Sequence, residues 1–425
     1  MFVLYHILTT FVLAVLFPVF ILFKKKIRFK DRLGLDLPKM GLVKQDAALW
    51  VHTLSVGEVL SAIPLVEALK EKYPLATIVL SVKTATGLAI AREKFANTVD
   101  HVVPMPLDFW WSLRRLVKAI RPSLFILVET DIWPGLLWLL KKDSINAILV
   151  NGRISPHTKR AYERWQFLFK RVLHLFELLL MQTGLDRNRI MSGGPLPEKV
   201  IVTGNIKFDR KFLPLSHKER RKWSEHLNLK NGLVWVAGST HHPEEEMIFT
   251  VFNNLIQSFP DLVLIIAPRD TQRFDEVFHC ARALNLKVIR KTELPGENKN
   301  YSVVVLNTLG ELGRVYSLAH VAFVGGSLMP AGGHNLLEPA FFGVPVLFGP
   351  YTYNFSYMAQ SLIKCGGGRV VCNEAELLNE MVEFLTHKGK REGVGKRAQK
   401  FVQKNQGALS RVMGILEPYI EGKRR

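Results

Sequence analysis

Cysteine is scarce. The 425 residues hold three, Cys280, Cys365 and Cys372, at spacings that match no metal motif, which excludes a disulfide framework and a thiolate zinc site. A reducing compartment is the simplest home. Low-complexity tracts are also missing: 30 Gly and 21 Pro, dispersed among 48% apolar and 22% charged residues, exclude a collagen-like, coiled-coil or wholly disordered chain. There is no G-x-x-x-x-G-K-[ST] phosphate loop, and G-x-G-x-x-G does not follow the first strand pattern. No D-x-D pair suggests a metal, and none is expected.

Acidic residues are the deficient charge, 37 against 57 Lys and Arg, for a net +20. Such a surplus predicts an anionic partner: nucleic acid, a phospholipid surface or a phosphorylated substrate. Long apolar runs are absent with one exception, residues 2–23, FVLYHILTTFVLAVLFPVFILF, which carry no charge and are followed at once by Lys24, Lys25, Lys26, Arg28, Lys30 and Arg32. About 20 apolar residues can cross a bilayer as a helix. Cleavable signals carry their positive charge before the apolar core, whereas here it comes after. The run therefore predicts a single uncleaved anchor with the remaining chain cytoplasmic; a buried core helix before a basic loop is the alternative.

The length suggests roughly two or three domains. From Ala47, short β-branched runs alternate with amphipathic stretches: ALWVHT, ATIVLSV, DHVVPM, LFILVET, AILVNG, ELLLMQ and VIVTG. After a polar, basic stretch a second series follows, LVWVAGS, LVLIIAPR, LKVIRK, VVVLN, VAFVGG, PVLFGP and GRVVC. The alternation predicts an α/β chain with two doubly wound, Rossmann-like halves whose ligand sits between them at the carboxyl ends of the strands. The expected organisation is an anchor and basic segment over 1–30, a first half over 31–210, a linker over 211–231, a second half over 232–400 and terminal helices over 401–425.

Several strand ends carry polar clusters. Ser55 and Glu58, at S-x-x-E spacing before a helical pattern, read either as a capping box or as a carboxylate displayed where doubly wound domains place catalytic groups. Glu129 and Asp131 end the fourth run, Asn151 and Arg153 the next, and Lys207 and Asp209 close the first half. In the second half Gly238, Ser239 and Thr240 precede a helix and can cap it, hold a phosphate, or both. His241 and His242 are adjacent rather than one helical turn apart, which argues against a metal pair. Pro268 and Arg269 put a planar donor fork at another strand end. The glycine-rich stretch before Asn335 can bring backbone amides to a phosphate, with Glu338 placed to accept from ribose hydroxyls; a tight structural loop is the plain alternative.

Eight segments taken together resemble a known family: SVGE (55–58), ET-x-x-WP (129–134), VTGNIKFD (202–209), ST-x-x-x-EE (239–245), APR (267–269), GEL (310–312), GGS-x-x-x-x-GGHN-x-LEPA (325–340) and NQGAL (405–409). They look like the 3-deoxy-D-manno-octulosonic acid (Kdo) transferases of lipopolysaccharide biosynthesis, inverting glycosyltransferases of the two-Rossmann GT-B type. The resemblance implies two domains facing a cleft. It also implies transfer of Kdo from CMP-Kdo to the lipid A precursor, lipid IVA, at the cytoplasmic face of the inner membrane. CMP-Kdo is then a substrate and no cofactor is expected. By the same resemblance Glu58 is the catalytic base, and Glu129 and Lys207 are electrostatic helpers. The CMP contacts fall on Pro268 and Arg269, on Gly310, Glu311 and Leu312, and on Asn335, Leu336, Leu337 and Glu338, with Ser239 and Thr240 near the phosphate. One departure is Asp270-Thr271, where relatives usually continue A-P-R with His-Pro.

A transferase using a UDP-sugar and a lipid acceptor would share fold, anchor and charge. A membrane-tethered nucleic-acid-binding protein would share only the charge, and the chain has no RNP-like aromatic motif or zinc knuckle; no nucleic-acid partner is expected.

Overall fold

Each of the fourteen apolar runs forms a strand, and the strands assemble into two parallel sheets of seven. The structure is a computed structural model that describes residues 5, 6, 10, 11, 33, 48–210, 212–226, 232–294 and 301–422.

The first sheet holds β1 (Ala48–Thr53), β2 (Ile78–Val82), β3 (His101–Pro104), β4 (Pro122–Val128), β5 (Asn146–Gly152), β6 (Leu178–Met181) and β7 (Val200–Val202), in the order β3-β2-β1-β4-β5-β6-β7. Its strands read as continuous apolar runs because both faces are covered. The period of two then divides them: Ala48 and Trp50 pack on one side with Phe125 and Leu127, while Leu49 and Val51 pack on the other with Leu124, Ile126 and Val128. Neighbouring strands pair in parallel, Trp50 opposite Val79 and Phe125.

The second sheet holds β8 (Val234–Thr240), β9 (Val263–Pro268), β10 (Val288–Arg290), β11 (Val303–Val305), β12 (Val321–Val324), β13 (Val346–Phe348) and β14 (Gly368–Val370), in the order β10-β11-β9-β8-β12-β13-β14. The same alternation sends Trp235 and Ala237 to one core and Val234 and Val236 to the other. In each sheet the chain reverses direction of travel at the first strand, between β1 and β4 and between β8 and β12. Loops leaving the carboxyl ends at these switch points diverge and leave a crevice.

The chain divides differently from the sequence expectation. One compact unit runs to Arg210 and resumes at Asn405, and the second takes Lys211–Lys404. Most of the expected linker is built into the second unit: helix His217–His226 buries Trp223 with Val234 and Tyr316, and Arg314 pairs with Glu219 at 2.6 Å. The terminal helices also part company. Helix Lys388–Asn405 lies in the second unit almost to its end, whereas Ala408–Glu421 buries Val412, Leu416 and Ile420 on the first sheet's core. The break is Gly407, held at φ +89, a backbone region suited to glycine.

The expected anchor, residues 2–23, lies outside the described residues apart from Tyr5, His6, Thr10 and Phe11. Of these, Tyr5 donates to Asp108 Oδ2 at 2.7 Å. Among the described residues no helix is long and apolar enough to cross a membrane.

Candidate active site

The SVGE segment joins β1 to helix Val56–Lys72. Glu58 reaches back one turn, and its Oε2 accepts from the Ser55 N–H at 2.9 Å and from the Leu54 N–H. The capping box is thus real, and it uses one oxygen only. No hydrogen bond among the described residues reaches Oε1. Burial first, then the neighbouring Glu129, pushes the Glu58 carboxyl up to about 7; the two amides pull it down and Asp131 adds to the push. A carboxylate fixed by one oxygen, open at the other and titrating near neutrality is suited to general-base work.

Glu129 ends β4 at φ +65, a strained conformation for a residue with a Cβ, which turns its side chain toward the SVGE helix. Its Oε1 lies 2.9 Å from the Ser61 hydroxyl and 2.9 Å from Lys207 Nζ. The Ser61 proton is shared, since its Oγ is also 2.6 Å from the Gly57 carbonyl. Lys207 is placed by its own motif. Asn205 Oδ1 caps the short helix Ile206–Asp209, and Asp209 accepts from the Gly407 and Leu409 amides, so VTGNIKFD and NQGAL hold each other. Asn151, buried at the end of β5, accepts from the Ile206 N–H at 3.1 Å and so fixes the start of that helix. Glu58, Glu129 and Lys207 are therefore brought together.

Beside them Asp131 and Trp133, of the same ET-x-x-WP segment, are joined by two residues that the sequence did not single out, His52 and Lys83. Asp131 Oδ2 accepts from Trp133 Nε1 at 2.7 Å and faces buried His52 Nε2 at 3.4 Å, while Lys83 lies 3.7 Å from Oδ1 and 4.5 Å from the Trp133 ring centre. Burial pushes Asp131 up, but His52, Trp133 and Lys83 outweigh it and hold the carboxyl below the usual carboxylate range. The signal that could have found His52 is a polar residue within an otherwise apolar strand run.

In the second unit, Ser239 sits at φ +56, Thr240 is buried with its hydroxyl unpartnered, and the Arg269 N–H donates to the Thr240 carbonyl at 2.9 Å. The ends of β8 and β9 are thereby tied, with the Arg269 side chain exposed after Pro268. Gly310 at φ +81 opens the GEL turn, where Glu311 pairs with Lys291 at 3.0 Å and Leu312 starts a short helix. Asn335 accepts from the Leu337 N–H at 3.1 Å and donates to Glu338 Oε1 at 3.2 Å. GEL and N-x-x-E converge, since a Cβ on Gly313 would lie 3.6 Å from Glu338 Oε2. Leu336 and Leu337 point into the core, so any ligand contact from them is through backbone.

One expectation is corrected. Three amides of the glycine-rich loop, those of Gly326, Ser327 and Leu328, are not available to a phosphate: the buried carboxylate of Glu244 accepts all three, at 2.7 to 2.9 Å, together with the His241 N–H at 3.0 Å. The ST-x-x-x-EE motif supplies this internal anion, and its second glutamate, Glu245, pairs with Arg273 at 3.0 Å. Among the described residues no three His, Cys, Asp or Glu side chains converge as a metal site.

Comparison with known proteins narrows the chemistry. A family model described as 3-deoxy-D-manno-octulosonic-acid transferase (kdotransferase) matches residues 27–210. The 3-deoxy-D-manno-octulosonic acid transferase of Haemophilus influenzae is 33% identical over 380 residues, 88% of this chain and 87% of that protein. The enzyme of the same name from Aquifex aeolicus is 30% identical over 351 residues, 83% of this chain and 90% of the other. Among solved structures, UDP-GlcNAc 2-epimerase from Neisseria meningitidis covers 87% of this chain and 99% of its own, with a TM-score of 0.57 at 14% identity, a likeness of fold alone. With two GT-B-like α/β units, and with the identity to the Haemophilus influenzae enzyme extending over nearly nine-tenths of both chains, this protein belongs to the 3-deoxy-D-manno-octulosonic acid transferase family.

Proposed function

We propose that the chain transfers Kdo from CMP-Kdo to a hydroxyl of the phosphorylated lipid A precursor, lipid IVA, with inversion at the anomeric carbon, in lipopolysaccharide biosynthesis. The observation that carries this reading is Glu58, whose Oε2 is held by the Leu54 and Ser55 amides while Oε1 stays open. A CMP-linked sugar already has a phosphate leaving group, so the protein must deprotonate the acceptor and stabilise the departing charge. The acceptor O–H gives its proton to Glu58 Oε1, its oxygen attacks the anomeric carbon, and the bond to phosphate breaks with its electron pair leaving on CMP.

The Glu129 and Lys207 ion pair sets the field at Glu58 and supplies a cation near the developing charge. Arg269 takes the CMP phosphate and Glu338 the ribose, with Ser239, Thr240, Pro268, Gly310, Glu311, Leu312 and Asn335 lining the donor site. In this reading CMP-Kdo is a substrate, and the named residues supply the groups the reaction requires.

The enzyme works at the cytoplasmic face of the inner membrane, anchored by residues 2–23. Supporting this, the first unit exposes Trp165, Phe167 and Leu168 among Arg164, Lys170 and Arg171, with Arg171 4.1 Å from the Phe167 ring centre and Arg164 5.7 Å from that of Trp165. Aromatic residues beside cations suit an anionic lipid interface. Incubating detergent-solubilised protein with CMP-Kdo and lipid IVA, followed by mass spectrometry of the lipid, tests the reading: Kdo mass increments are expected, their number counts the sugars added, and an unchanged lipid refutes it.

A further inference from the structure

At the switch point of the second sheet, the loops leaving β8 and β12 meet through two histidines. His241 follows β8, and His334 ends the glycine-rich loop after β12. The rings stack with planes 8° apart and centroids 5.2 Å apart, and their Nε2 atoms are 2.9 Å apart. At that separation one ring must donate and the other accept, so the accepting ring, when neutral, carries its hydrogen on Nδ1. No hydrogen bond among the described residues reaches either Nδ1. One imidazole N–H is left for something else.

The pair is built in rather than incidental. Glu244 clamps both loops through the His241, Gly326, Ser327 and Leu328 amides. Gly326, at φ +64, admits the two rings: a Cβ there would lie 3.0 Å from His334 and 3.2 Å from His241. Arg269, tied to Thr240 from the end of β9, brings a positive charge near. Burial first, then Arg269 and His241, pushes the His334 imidazole down to about 4, so this ring is neutral at pH 7 and can donate beside the guanidinium without adding a second cation. Because Glu244 takes three amides of the loop, the imidazole N–H is a donor the loop still presents.

We propose that the His241/His334 pair is a phosphate-recognising element of the donor site, its free Nδ1–H donating to a non-bridging phosphate oxygen of the nucleotide next to Arg269. The proposal rests on the CMP-sugar reading above. It is tested with His241→Phe and His334→Phe, which keep a ring and remove its nitrogens. CMP affinity is measured by calorimetry and cytidine affinity by ligand-observed NMR, for both variants and the unmodified protein.

The expected result is a loss of roughly tenfold or more in CMP affinity in each variant with cytidine binding unchanged, since only the phosphate contact goes. Equal losses for CMP and cytidine would show the pair merely shaping the pocket and overturn the proposal, as would unchanged CMP affinity in both variants. A variant that fails to fold leaves a measurement on the unmodified protein: CMP, and not cytidine, should shift the ¹³Cε1 histidine resonances of the pair, and their constancy overturns the proposal. An unmodified protein that binds no CMP overturns the donor reading itself, whereas binding with indifferent variants overturns only the pair.

Discussion

Lys207 Nζ lies 2.9 Å from Glu129 Oε1, which places a cation against the carboxylate that most strongly raises Glu58. The candidate base is thus set by two layers, one that shields it from water and one that adjusts its field.

Replacing Glu58 by Gln should preserve the fold and CMP binding and abolish most transfer. A Gln carbonyl can still accept from the Leu54 and Ser55 amides, but it cannot take the acceptor's proton. Loss of a general base costs about 10²-fold to 10⁴-fold in rate. Turnover close to the unmodified enzyme would reduce Glu58 to a helix cap.

The pH profile should show Glu58 directly. Its carboxyl is raised from 4.5 to about 7, so the reactive ionised form fills as pH rises through 7 and kcat/KM should climb on an acid limb there. Glu129→Gln removes the raising charge and should move that limb to lower pH; a limb that stays put excludes Glu129 from the field. Stability has the opposite sign. The folded state holds the proton more tightly than the unfolded chain, so the Glu58 contribution is fully present below 4.5 and is lost as pH rises to about 7. Thermal melts of Glu58→Gln should therefore gain on the unmodified protein as pH increases across this window.

Arg269→Ala and Glu338→Ala should each weaken CMP binding in calorimetry. A hydrogen bond to a charged group contributes about 1.5 to 3 kcal/mol, roughly tenfold or more in affinity. Unchanged affinity in both would place the donor elsewhere.

Removal of residues 1–23 should leave a folded transferase, because both sheets begin after Ala47 and Asp108, on losing Tyr5, still accepts from the Gly135 and Leu136 amides at 2.9 and 3.0 Å. Activity on vesicle-borne lipid should fall more than on detergent-dispersed lipid, since an anchor raises effective concentration. The basic residues 24–32 retain salt-sensitive attachment at about 1 kcal/mol per near-surface charge. Equal activity on vesicles at high salt would show that the anchor adds nothing.

The sheets were legible because most strands are predominantly apolar runs bounded by polar or glycine residues, as VWVAGST shows in β8. SVGE was legible as two alternative roles; the structure shows the cap on Oε2 and leaves Oε1 open for the proposed base. What escaped depends on distant partners. Glu244 looks like an ordinary first-turn acid until Gly326, 82 residues away, donates to it. In sequence His241 stands beside His242, whereas its partner is His334, 93 residues on, in the loop after the neighbouring strand β12. Unit boundaries were blurred for the same reason, since nothing local in NQGAL announces that Asp209 will cap it.

That cap has a consequence for how the gene can be divided. Asp209 fastens the Gly407 and Leu409 amides, so the second unit is an insertion within the first and not its sequel. Its ends, Lys211 and Lys404, are the natural points of excision. A chain stopped near residue 404 would spare the unit proposed to bind the nucleotide and strip a covering helix from the unit that carries the proposed base, so C-terminal truncation should injure proton abstraction before donor binding.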